Sequence, residues 1–170
     1  MKKYSKKVML CVFGAVILLV IAISLVFALA NRTEYYECTE YTISILKLDK
    51  DGKQVYDNID HLEEYSYYRL YLSKGKLQFK LEYKINGDDE VKTYTGYYSI
   101  YKDTNVICLD YQGKEDASIY PQEADGKAYY KIDGNKLIRV KDETGKQEGA
   151  DQIKPSRQKV YQTFKKKISW

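Results

Sequence analysis

From residue 41 onward, apolar and polar positions alternate in short runs separated by Gly, Asn and Asp. In KLQFKLEYKI (76–85), Leu77, Phe79, Leu81, Tyr83 and Ile85 fall on one face, while Gln78, Lys80, Glu82 and Lys84 fall on the other. A period of two is that of a strand with one buried face. The same pattern predicts strands at 41–49, 67–73, 91–101, 104–111, 117–120, 127–133, 135–142 and 158–169. Turns are expected at DKDGK, Lys74-Gly75, NGDDE, Lys102-Asp103 and Asp133-Gly134-Asn135, with a break at Pro121 and a loop from Thr144 to Pro155. Gly96, inside 91–101, reads as a bulge or bend. Only VYDNIDHLEEYSY (55–67) lacks alternation, and it reads as one or two helical turns. Short, evenly spaced strands with little helix predict an all-β sandwich or barrel.

The first 30 residues follow a different rule. MKKYSKK (1–7) is a basic tail, and Val8 to Ala30 carries no charge over 23 residues. As a helix that run spans about 35 Å, enough to cross a hydrocarbon core of about 30 Å. Ala28-Leu29-Ala30 also has the small-x-small spacing of a signal-peptidase site. An uncleaved signal anchor is the favoured reading because a signal-peptide apolar region is usually about 7–15 residues long; a secreted form after cleavage is the alternative. Lys2, Lys3, Lys6 and Lys7 precede the span, and Glu34, Glu37 and Glu40 follow it. The positive-inside rule then places the N-terminus in the cytoplasm and the rest outside.

The chain thus divides into tail 1–7, anchor 8–30, linker 31–40 and extracytoplasmic domain 41–170. The overall charge of +4 belongs to the tail lysines, since residues 31–170 hold equal numbers of cations and acids. That balance argues against nucleic acid as a partner. Residues 153–170 nevertheless hold six cations and no acid. Lys165, Lys166 and Lys167 are therefore candidates for contact with an anionic surface, although a solvated basic edge is the plainer reading.

Cys11 lies in the apolar run, whereas Cys38 and Cys108 lie outside it, where a disulfide can persist. A bridge between them would close a loop of about 70 residues, contributing on the order of 4 kcal/mol. Two buried thiols are the alternative. His61 is the sole histidine, so a multi-histidine zinc site is excluded. Its neighbours Asp57, Asp60, Glu63 and Glu64 read as a solvated polar turn. DKDGK fails the spacing of a calcium loop, because counting from Asp49 puts Gly52 at position four and Asp60 at twelve. Neither a phosphate loop nor a nucleophile elbow occurs, and nothing calls for an enzyme or a cofactor. Tyr97, Tyr98 and Tyr101 are candidate surface or ligand contacts, because tyrosines can stack on sugar or peptide.

The run TGYYSI, the strand TNVICLD, the hairpin YYKIDGNKLIRV and the closing VYQTFKKK together resemble small lipocalin-like domains of bacterial envelope proteins. Gly96, Tyr98, Tyr130, Ile132, Gly134, Asn135, Leu137, Phe164 and Lys165 occupy the matching positions. No tryptophan follows Gly96, and the glycine falls mid-domain rather than in the first strand. The resemblance implies a mainly β protein: one transmembrane helix followed by an antiparallel meander barrel of about eight strands. It supports the barrel more than a ligand; a binding or interaction role, with a small apolar ligand, a cell-wall polymer or an envelope protein as the partner, is a separate expectation. An envelope-association module without a ligand cavity is the alternative.

Overall fold

The structure is a computed structural model that describes residues 6–111, 126–146 and 158–167. Helix α1, Lys6–Ala30, is 25 residues long, and its stretch Cys11–Ala30 is apolar enough to cross a membrane, with none of it buried against the rest of the chain. It ends at Asn31, whose backbone N–H (3.1 Å) and side-chain amide (2.9 Å) both donate to the Phe27 carbonyl. Two residues, Asn31 and Arg32, separate the helix from strand β1, Thr33–Leu48.

The remaining strands are β2 (Gln54–Asp60), β3 (Tyr65–Ser73), β4 (Gln78–Ile85), β5 (Lys92–Tyr101), β6 (Val106–Asp110), β7 (Lys127–Asp133), β8 (Lys136–Val140) and β9 (Gln158–Lys167). Strand β1 pairs with β3, strands β3 to β8 each pair with their successor, and β9 pairs with β1 through partners such as Cys38 and Phe164. The result is a closed, antiparallel meander barrel of eight strands, β1 and β3–β9. Strand β2 pairs only with the outer part of β1, so the β1–β2 hairpin extends one edge of the barrel.

Strand β1 begins eight residues before the expected start, within the stretch read as a linker. A bulge between Cys38 and Glu40 explains the discrepancy. Inward positions run Tyr36, Cys38 before it and Tyr41, Ile43 after it, so the period of two slips by one residue there and the alternation is interrupted. A second bulge, between Tyr65 and Tyr67, shifts the phase of β3 in the same way. The helical turns expected over 55–67 reduce to one 3-10 turn, Leu62–Glu64. The rest is β2 and the start of β3. Strand β2 hides its periodicity because both of its faces are largely exposed.

Gly96 is not a bulge: β5 keeps its register with β4 straight through it, and the pairing with β6 begins one residue later at Tyr97. It is a point of close approach instead. A Cβ there would lie 2.2 Å from the Asp110 carbonyl oxygen and 2.6 Å from Phe79 Cε1. The hairpin tip Gly134-Asn135 joins β7 to β8 as expected, with Gly134 at φ +56°. The strand expected at 117–120 lies outside the described residues, as does most of the 144–155 loop.

Candidate functional site

Eight strands enclose a space that side chains alone can fill, and here aromatic rings fill it. Tyr68 stacks on Tyr83 at 5.5 Å and tilts against Phe164 at 5.6 Å, while Tyr130 meets Phe164 edge-on at 5.7 Å. Phe79, lying over Gly96, meets Tyr111 at 5.0 Å. At the end far from α1, Tyr41, Tyr65, Tyr68, Tyr83 and Tyr94 form a continuous run of ring contacts. Deeper inside, the Tyr130 hydroxyl donates to Gln162 Oε1 at 2.5 Å, both residues being buried. This use of hydroxyl-bearing rings as barrel filling accounts for much of the tyrosine content.

The end near α1 is plugged by charge. Glu34 sits on the inward face of β1, its side chain 11% exposed. It accepts from Lys166 of β9, from Lys74 Nζ at 2.8 Å, and from the Tyr36 hydroxyl at 2.9 Å. Burial by itself would raise the Glu34 pKa, but these donors more than offset it and hold the carboxyl at about 2. Burial, reinforced by the bond to Glu34, pushes the Tyr36 phenol well above its ordinary value.

Outside the wall, β3, β4 and β5 bound an open groove of about 660 Å³ whose lining includes Tyr71, Lys76, Gln78, Lys80, Thr95 and Tyr97. Lys80 Nζ lies 4.6 Å from the centre of the Tyr71 ring, which itself stacks on Tyr35 at 5.2 Å. Lys80 also donates to Glu82 at 2.8 Å, and that bond, against a smaller effect of burial, lowers the Glu82 pKa.

The three candidate tyrosines do not form one surface. Tyr97 and Tyr101 are exposed, and Tyr97 lines the groove; Tyr98 points inward and is buried. Cys38 and Cys108 are not bridged. Cys38 belongs to the interior cluster, whereas Cys108 packs outside with Val106, Tyr129 and Val140. Burial raises the Cys38 thiol pKa to about 12. Of the three candidate lysines, Lys166 is held by Glu34, Lys167 pairs with Glu37 at 3.0 Å, and Lys165 is exposed.

His61 contacts Glu64 through Nδ1 at 3.0 Å and packs against the Tyr41 ring. Among the described residues, no three His, Cys, Asp or Glu side chains are grouped to hold a metal ion.

Two features were missed from sequence. The Glu34 plug lies within 31–40, ahead of the first visible alternation. The groove joins outward positions of three strands, and only their register brings those positions together. Comparison with protein-family models, curated proteins and solved structures returns no match for this chain, so the lipocalin-like resemblance rests on its sequence motifs alone.

Proposed function

We propose that this is a single-pass membrane protein that displays its barrel outside the cytoplasmic membrane. In this reading the barrel docks a partner through its outer wall and does not carry a ligand inside. The observation that carries the reading is the filled interior: interlocked rings along the bore, with Glu34 and its donors across the end near α1. A carrier of apolar ligands needs a cavity of several hundred Å³, and the described rings stand where such a ligand would lie. The outward groove of Tyr71, Gln78, Lys80, Thr95 and Tyr97 presents aromatic faces and hydrogen-bond donors and is suited to a polar envelope partner. The anchor follows from the 23-residue uncharged run and its lysine flank.

The test is uptake of a neutral apolar fluorophore by the purified, detergent-solubilised protein. The docking reading expects no saturable increase in emission beyond that of detergent alone. Stoichiometric, saturable uptake abolished by substituting Phe164 or Tyr68 would restore the carrier reading.

A further inference from the structure

We infer that the α1-side end of the barrel is a contact face for the anionic phospholipid headgroups of the bilayer that holds α1. The inference rests on the reading of α1 as a spanning anchor. The link between helix and barrel is only Asn31 and Arg32, a reach of about 7 Å when extended. It is also fastened at both ends: Arg32 N–H donates to Leu29 O of the helix at 3.3 Å, and Lys74 N–H of the β3–β4 turn donates to Arg32 O at 3.2 Å. Asn31 packs so tightly on the β3–β4 turn that a Cβ on Gly75 would lie 2.0 Å from its Oδ1. The barrel end is therefore held within about a Debye length, roughly 8 Å at physiological ionic strength, of the surface in which α1 ends.

The antiparallel meander brings several separate cations to that same end. Lys76 lies in the β3–β4 turn, Lys102 in the β5–β6 turn, Lys136 beside the β7–β8 tip and Lys165 near the end of β9, and all four are exposed. Two acids at this end are already neutralised, Glu34 by Lys166 and Lys74 and Glu37 by Lys167. Asp103 and Asp133 also lie there, fewer than the exposed cations. The opposite end carries the reverse sign. Among the described residues, Asp49, Asp51, Glu63, Glu64, Asp88, Asp89 and Glu90 in its β1–β2, β2–β3 and β4–β5 connections outnumber Lys50 and Lys53. The barrel therefore carries a charge asymmetry along its axis, with its basic end toward the membrane. Anionic headgroups attract such a basic face, whereas a zwitterionic surface gives it no net attraction.

The test uses the full chain in lipid nanodiscs, one set zwitterionic phosphatidylcholine and the other containing phosphatidylglycerol. Lysines are reductively methylated with formaldehyde and dimethylamine–borane, both neutral reagents, the borane supplying the hydride that reduces the imine, and rates are read residue by residue by mass spectrometry. The expectation is that Lys76, Lys136 and Lys165 react roughly threefold or more slowly in anionic discs, and that about 1 M salt removes the difference. Lys50 and Lys53, at the far end, should react equally in both. Equal rates at all these lysines, with the chain in the discs, would overturn this inference alone. Equivalent protection in phosphatidylcholine discs by millimolar glycerol phosphate would overturn it in favour of a free phosphate site. A chain that elutes apart from the discs would overturn the anchor reading and this inference with it.

Discussion

Glu34 and Lys166 join the first strand of the barrel to the last: the Lys166 ammonium on β9 donates to Glu34 Oε1 on β1, only four residues beyond the end of α1. The pair fastens the β1–β9 seam at the end where the chain enters the barrel.

The pair makes barrel stability depend on acid. The Glu34 carboxyl titrates at about 2 in the fold against an ordinary value of 4.5. A depressed folded-state pKa adds stability that is complete above about pH 4.5 and is lost as pH falls toward 2. The urea midpoint of the wild type should therefore fall across that window more steeply than that of Glu34→Gln. At pH 7 the variant should be less stable by about 1–3 kcal/mol, as expected for losing hydrogen bonds to a charged group. Parallel pH profiles for the two proteins would remove Glu34 from this role.

Phe164 is fully buried and touches both Tyr68 and Tyr130. Phe164→Ala should cost about 3–5 kcal/mol in chemical denaturation. Tyr161→Ala, three residues earlier on the same strand and 40% exposed, should cost less than about 1 kcal/mol. Similar costs at the two sites would mean that the bore is not packed by β9 as described.

Gly96→Ala should destabilise by about 1–3 kcal/mol, because its new methyl meets both the Asp110 carbonyl and the Phe79 ring. Trimming Phe79 to Leu relieves only the side-chain contact. The double variant should therefore remain less stable than Phe79→Leu alone, and equal stability of those two would place the clash elsewhere.

Cys38 and Cys108 should yield two thiols by mass after denaturation in the presence of an alkylating agent and absence of reductant. Cys38 should be unreactive in the folded protein at neutral pH, because its thiol pKa is raised to about 12 and it lies inside the wall. A mass lighter by two hydrogen atoms, with neither residue alkylated, would show a bridge.

Much of the barrel is legible in the alternation itself. The face shared by Phe79, Leu81 and Tyr83 in the sequence is the buried face of β4, and the Gly134-Asn135 tip turns where its chemistry dictates. Legibility fails where the period of two is interrupted or hidden. The bulge after Cys38 disguises the first half of β1 as a linker and takes the Glu34 plug out of view. Strand β2, exposed on both faces, loses its alternation altogether. Register is the other limit. Tyr71, Lys80 and Thr95 are outward positions in three separate runs, and only the pairing of Lys80 with both Tyr71 and Thr95 assembles them into one groove wall. The same limit explains Lys165–Lys167. Adjacent residues on a strand point to alternate faces, so one run of three lysines serves a plug and a pair with Glu37 as well as the exposed rim.

The most direct measurement is residue-level labelling of intact cells with a membrane-impermeant amine reagent, followed by alkaline carbonate extraction of the membranes. A membrane-anchored, outward-facing barrel predicts that the full-length chain stays in the carbonate-resistant fraction with Lys50 and Lys53 labelled. A chain lacking residues 1–30 in the soluble fraction, or lysines that react only after the cells are opened, would contradict it.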